Sequence, residues 1–196
     1  MPLMHPGSFA SPKKSDLMRT MLFIASLLLA PLMQAAHLRV HGLVTDHNDR
    51  TPLDQALVRV YKDGVKQAAF TTGAGGRYQV ELDNNAHYVI RFSMPGRVTK
   101  CFAVDTHGPA WEGDNAMKDL EVEMTLFEQQ DGLDLSFFDL PMGIARFTPM
   151  TGTVSWNAEY EQRVRPEVDR LMAEVALRRE QRALAQNSAL ASAAGR

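Results

Sequence analysis

Between residues 38 and 126 the chain alternates apolar and polar side chains with a period of two, in short runs parted by turn formers. Nothing else in the sequence restricts the fold so strongly, because this rhythm suits a half-buried antiparallel strand and no helix. Leu38, Val40 and Val44 oppose Arg39 and His41; Val58 and Val60 oppose Arg59 and Tyr61. Residues 65–71 form a weaker run whose bulk is Ala68, Ala69 and Phe70. Tyr78, Val80 and Leu82 alternate with Arg77, Gln79 and Glu81, and Tyr88, Ile90 and Phe92 alternate with His87, Val89 and Arg91. A sixth run, 98–104, places Phe102 and Val104 inward. The seventh and cleanest sets Leu120, Val122, Met124 and Leu126 against Glu121, Glu123 and Thr125. The breaks between runs are turn chemistry: residues 46–52, the hairpin signal Lys62-Asp63-Gly64, residues 73–76, Asp83-Asn84-Asn85 and Pro95-Gly96. Seven short strands in about 90 residues is the spacing of a two-sheet sandwich.

The flanks have a different character. Lys13, Lys14 and Arg19 precede an apolar run from Met21 to Met33 that ends in Gln-Ala-Ala. That order is the pattern of an export signal, and the run is shorter than the ~20 residues a membrane-crossing helix needs. Cleavage is expected after Ala35 or Ala36, although Met33 or Gln34 occupies a position that prefers a small side chain. An uncleaved N-terminal anchor is the alternative. No cysteine follows the run to carry a lipid.

Residues 128–160 lose the rhythm but keep Leu133, Leu135, Phe137, Phe138, Leu140, Ile144 and Phe147, too much apolar surface for a linker. They are expected to wrap on the sandwich or cover a sheet edge. In the closing segment, 161–196, a helix is expected from Pro166 to about Leu184, with Val168, Leu171, Met172 and Val175 on one face and a frayed tail behind it.

Composition narrows function by exclusion. A formal charge of -2 leaves no basic footprint for nucleic acid. The single cysteine, Cys101, rules out an internal disulfide and sits in an apolar strand, where a buried thiol is the simpler reading. His37 and His41 share a strand face but stand ~13 Å apart by the strand rise, too far to share an ion alone. Asp46, Asn48, Asp49 and Asp54 cluster at one turn without the spacing of a calcium loop, and turn chemistry explains them. Ser136 and Ser155 lack nucleophile-elbow glycines, and no Gly-Lys-Ser/Thr follows Gly73-Ala74-Gly75-Gly76. No catalytic residue, metal or cofactor is therefore expected. Trp111, Trp156 and Tyr160 lie in irregular stretches, where they serve either a partner surface or the wrap on the sandwich, the latter being favoured.

Four spaced pieces carry a family resemblance. They are the opening strand 40–46 with Gly42; Pro52-Leu53 with Ala56-Leu57-Val58; Thr72 followed by Gly76-Arg77-Tyr78; and Tyr88-Val89-Ile90-Arg91-Phe92 followed by Pro95-Gly96. In this order they resemble the carboxypeptidase regulatory-like domain of the transthyretin-like, or prealbumin-like, superfamily. The resemblance covers about a third of the chain. Arg97 departs from it, standing where the family usually has an aromatic. The hydroxyisourate hydrolases of that superfamily are not matched, since neither their histidine constellation nor their Tyr-Arg-Gly-Ser ending is present.

The expected fold is thus all-β: a seven-stranded antiparallel β-sandwich (transthyretin-like) over 37–127, with an irregular extension and a C-terminal helix. The resemblance implies a non-catalytic module, and with the export signal and the absent chemistry the expectation is an exported binding or structural module of the cell envelope, in the periplasm or at the surface. Its partner would be an envelope protein or glycan, with no nucleic acid and no membrane span after signal cleavage. A small hydrolase or small-molecule carrier is the alternative.

Overall fold

A computed structural model describes residues 38–108, 117–148 and 151–194. The strands are β1 (Leu38–Asp46), β2 (Leu57–Lys62), β3 (Val65–Thr71), β4 (Arg77–Leu82) and β5 (His87–Ser93). They continue as β6 (Lys100–Asp105), β7 (Lys118–Glu121), β8 (Met124–Leu126), β9 (Pro141–Thr148) and β10 (Thr153–Trp156). The helix α1 spans Ala158–Ala194.

One sheet has β1 at its centre, with β4 on one side and β7 then β8 on the other; the second runs β10-β9-β6-β5-β2-β3. Their inner faces meet in one core, where Leu38, Val40 and Leu82 from the first face Val58, Ile90, Phe92 and Phe102 from the second. Each such buried side chain contributes roughly 1.5–3 kcal/mol, which lets the sandwich stand without a cross-link. Tyr78 lies edge-on to Phe92 with ring centroids 4.9 Å apart. The Lys62-Asp63-Gly64 hairpin joins β2 to β3, and Asp63 and Gly64 both take positive φ, 49° and 79°, as a tight two-residue turn requires.

The β-sandwich with a C-terminal helix is what the alternation predicts, but strand number and direction differ. Ten strands occur among the described residues, and β1–β7, β1–β8 and β6–β9 pair in parallel. Alternation reports which face a residue takes, not which way its strand runs. Strands that pair in parallel cannot be joined by a tight hairpin and need longer connections. The run 120–126 is also two strands rather than one. Val122 bulges out between β7 and β8, donating its N–H to His41 O at 2.9 Å and accepting the Tyr78 hydroxyl at 2.8 Å. Gly42 makes room for it: a Cβ there would stand 2.0 Å from Val122 O.

Thr72 fastens the loop between β1 and β2. Its buried hydroxyl donates to Leu53 O at 2.7 Å and accepts from Ala56 N at 3.0 Å. Gly76 closes the same corner at φ 69°, its N–H shared between Gly73 O and Asp54 Oδ1. A Cβ on Gly76 would meet Val44 O at 2.4 Å. The Thr-Gly-aromatic spacing in the sequence is therefore one physical unit: a hydroxyl clamp, a left-handed glycine and a core tyrosine.

The segment after β8 builds on the sandwich. Its turn at Ser136–Asp139 covers the outer face of β6, where Cys101 Sγ reaches Asp139 O at 3.3 Å. Phe127, Phe138, Leu135, Leu171 and Val175 form a second core beneath α1. The helix begins at Ala158, well before Pro166, which lies inside it. Asn157 caps it, accepting from Tyr160 N–H at 2.9 Å, so the proline is not its start. An interior proline costs ~3 kcal/mol; Val164 and Leu171, buried on the sandwich to either side of it, offset that. The expected frayed tail is helical through Ala194 because alanine has the highest helix propensity. Among the described residues no helix is long and apolar enough to cross a membrane.

Candidate functional site

A groove of about 440 Å³ opens where the edge of the first sheet faces β9, β10 and the start of α1. Glu123, Met124 and Thr125 line it from the first sheet, and Trp156, Asn157 and Glu161 from the end of β10 and the start of α1. Phe102, Met142 and Lys100 form its base. The walls exist because the second sheet continues past β6 into β9 and β10, which delivers Trp156 to the rim just before the helix cap.

Trp156 is 45% exposed, and its indole meets Phe102 edge-on at 6.3 Å. Gly143 on β9 permits this, since a Cβ there would approach the indole to 3.0 Å. Tyr160 takes a different role: its hydroxyl donates to Pro141 O at 2.8 Å, tying the first turn of α1 to β9. Burial raises its pKa. Trp111 lies outside the described residues. Of the three aromatics named from the sequence, Trp156 thus lines the groove and Tyr160 anchors the helix beside it.

Lys100 is the unusual group. It is 9% exposed and lies on the face of β6 that Phe102 and Val104 also occupy. Nζ donates to Thr125 O at 3.0 Å and stands 5.3 and 5.4 Å from the ring centres of Phe127 and Phe138. Burial, and then the nearby Arg50 charge, lowers its pKa to about 8. Among the described residues no carboxylate lies within ion-pair distance of it. This lysine escapes the sequence reading, although its parity with Phe102 and Val104 is the signal that could have found it.

Around it runs a polar network. Arg97 pairs with Asp46 and also donates to Leu126 O at 3.2 Å. Burial opposes ionisation of Asp46, but Arg97 and the Asn48 amide prevail and its pKa falls. Arg97, which replaces an expected aromatic, therefore holds the corner by charge instead of packing. Glu123 accepts from Thr45 Oγ1 at 2.7 Å and pairs with Arg50 at 3.3 Å. His47 has its pKa lowered by burial and by Lys100 and Arg50; its Nδ1 is 3.4 Å from Thr125 Oγ1.

The other sequence candidates disperse. His41 lies 3.8 Å from Asp119, and His107 2.7 Å from Asp105. Asp46 and Asp49 accept from the amides of Asn48 and Thr51, two residues on, as turn formers do. Cys101 is buried and its pKa raised for that reason. No group of three or more metal-ligating side chains converges among the described residues.

No family model matches the chain, and no curated protein matches it. Among solved structures it is similar to the TIE protein of Bacillus anthracis, at 14% identity over 47% of this chain and 18% of that one, with a TM-score of 0.39. It is similar to 3-chlorocatechol 1,2-dioxygenase from Rhodococcus opacus 1CP at 11% identity, over 48% of this chain and 61% of that one, TM-score 0.38. Catechol 1,2-dioxygenase from Acinetobacter sp. ADP1 gives 18% identity over 54% and 56%, TM-score 0.36. The chain spans less than two thirds of each. At these scores none of the three bears on family or function.

Proposed function

We propose that this chain is an exported, non-catalytic binding or structural module of the cell envelope, built on a transthyretin-like sandwich resembling the carboxypeptidase regulatory-like domain. The observation that carries the binding reading is the groove itself, with a half-exposed tryptophan on its rim and apolar side chains along its wall. Pockets of about 300–1,000 Å³ with mostly apolar linings are the usual places for ligands. The histidines, Cys101 and the turn aspartates sit on separate elements, an arrangement that suits recognition better than acid–base chemistry. The Thr72, Gly76 and Tyr78 corner supports the family reading by giving its spaced motif a structural purpose. Export rests on the basic, apolar and small-residue order of the first 36 residues.

The groove also favours a second reading within binding, a small-molecule carrier. Expression of the full chain in a bacterial host, followed by fractionation and intact mass measurement, tests the first proposal. The expected species is periplasmic or extracellular and begins at Ala36 or His37. A full-length protein confined to the cytosol overturns it.

A further inference from the structure

We propose that the groove over Lys100 is a binding site for a small organic monocarboxylate with an apolar body. The assignment rests on the binding reading above and adds the ligand's chemistry to it.

A lysine side chain this deeply placed is nearly always paired. Lys100 has three donors and makes one hydrogen bond among the described residues, to the neutral Thr125 carbonyl. The faces of Phe127 and Phe138 compensate its charge only in part. The acids that line the groove are committed elsewhere: Glu123 to Thr45 and Arg50, and Glu161 to Arg165. An incoming carboxylate supplies the missing counter-charge in a desolvated setting, where it counts most. The rest of the groove asks for carbon, since Phe102, Met124, Met142, Ile144 and Trp156 line it. A cationic ligand would be repelled by Lys100, and a neutral one would leave the amine unpaired. Lys100 is the one cationic side chain among the described residues that line the groove, so a second carboxylate has no partner there, which selects a monoacid over a diacid. With about 440 Å³ available, and ~30 Å³ per water-sized group, the body has on the order of a dozen non-hydrogen atoms.

Decanoate has that size and is the probe; decanol, equal in length and uncharged, is the control. Calorimetric titration of the exported protein at pH 7 is expected to show decanoate binding at least tenfold tighter than decanol. Lys100→Met should reduce that preference to within twofold. Because a core substitution can disturb folding, Trp156→Ala at the exposed rim is the second variant, and it should weaken both ligands by a similar factor. The pH profile separates charge pairing from packing. Decanoate affinity should be level between about pH 6 and about pH 8, where the ligand is ionised and Lys100 protonated, and fall toward tenfold per pH unit above that, while decanol affinity stays level. The other titratable groups facing the lysine and the groove are His47, Arg50, Glu123 and Glu161, and decanol reports any effect they have on packing. Equal affinity for the two probes, or a preference that survives Lys100→Met, overturns the proposal. So does a wild-type dimer that Trp156→Ala converts to monomer, because the groove would then be an interface between copies. Any of these in a correctly exported protein leaves the envelope-module reading standing. A cytosolic full-length chain that still prefers decanoate fails that reading alone.

Discussion

Thr72 offers the sharpest test of how this sandwich is held together. Its hydroxyl uses its one proton on Leu53 O and a lone pair on Ala56 N–H, two backbone groups for which no other hydrogen bond is present among the described residues. Thr72→Val keeps the side-chain volume and removes both bonds. Each buried backbone group left without a partner costs about 1–3 kcal/mol, so the pair predicts a loss of about 2–6 kcal/mol. Thr72→Ser keeps both bonds and removes one methyl, a loss of about 1 kcal/mol. For a chain of this size 1 kcal/mol shifts Tm by about 2–4 °C, so the valine variant should melt on the order of 10 °C below wild type and the serine variant only slightly below. Urea unfolding followed by circular dichroism measures both differences on the same material. A valine variant within about 0.5 kcal/mol of wild type, the range of an ordinary surface change, would falsify the clamp. A serine variant as unstable as the valine one would do the same and leave only packing at this corner.

Two further perturbations follow from the same geometry. Gly42→Ala sets a Cβ 2.0 Å from Val122 O, so it must break the Val122–His41 and Tyr78–Val122 bonds. A loss of about 3–5 kcal/mol or failure to fold is expected, and a near-native urea midpoint refutes the close approach. Lys100 gives a pH signature without ligand: its folded pKa of about 8 lies below its unfolded value, so native protein sheds the proton first as pH rises. The stability of wild type relative to Lys100→Met should therefore increase by about 1–2 kcal/mol between about pH 8 and about pH 9.5, the opposing effect of the buried Cys101 thiol being common to both; no relative gain across this window contradicts the buried ammonium.

Much of the sandwich was legible because burial on one face leaves a period of two in the sequence. β2, β4 and β5 carry that period almost unbroken, and the Asp63-Gly64 turn states its own geometry. The parallel strands were not legible, since nothing local distinguishes a strand that returns by hairpin from one that crosses over. β9 and β10 were hidden by composition: Pro141 and Gly143 interrupt the first, and only four residues make the second. The helix start was obscured by Pro166, which suits a first helical turn so well that it drew attention from the true cap, Asn157. At the groove, Trp156 was legible as an aromatic outside the expected strands, although it ends β10; Lys100 was passed over, although it shares the parity of Phe102 and Val104. Gly143 and Met142 were not legible, because their part depends on where β9 lies.

The extension accounts for both the closure of the fold and its candidate site. Without β9, β6 would be an edge strand carrying Cys101, Phe102 and Val104 beside unpaired backbone groups, which invites pairing with other chains. β9 covers that edge, and Phe147 joins the main core as it does so. The new edge is β10, only Thr153–Trp156, and α1 begins just beyond its end. A short edge strand limits further pairing, while its last residue, Trp156, lies over Phe102. The device that protects the sheet thus also creates a solvent-facing apolar wall above a buried ammonium. Neither half suffices alone: the sandwich supplies Lys100 and Phe102, and the extension supplies Met142, Gly143 and Trp156.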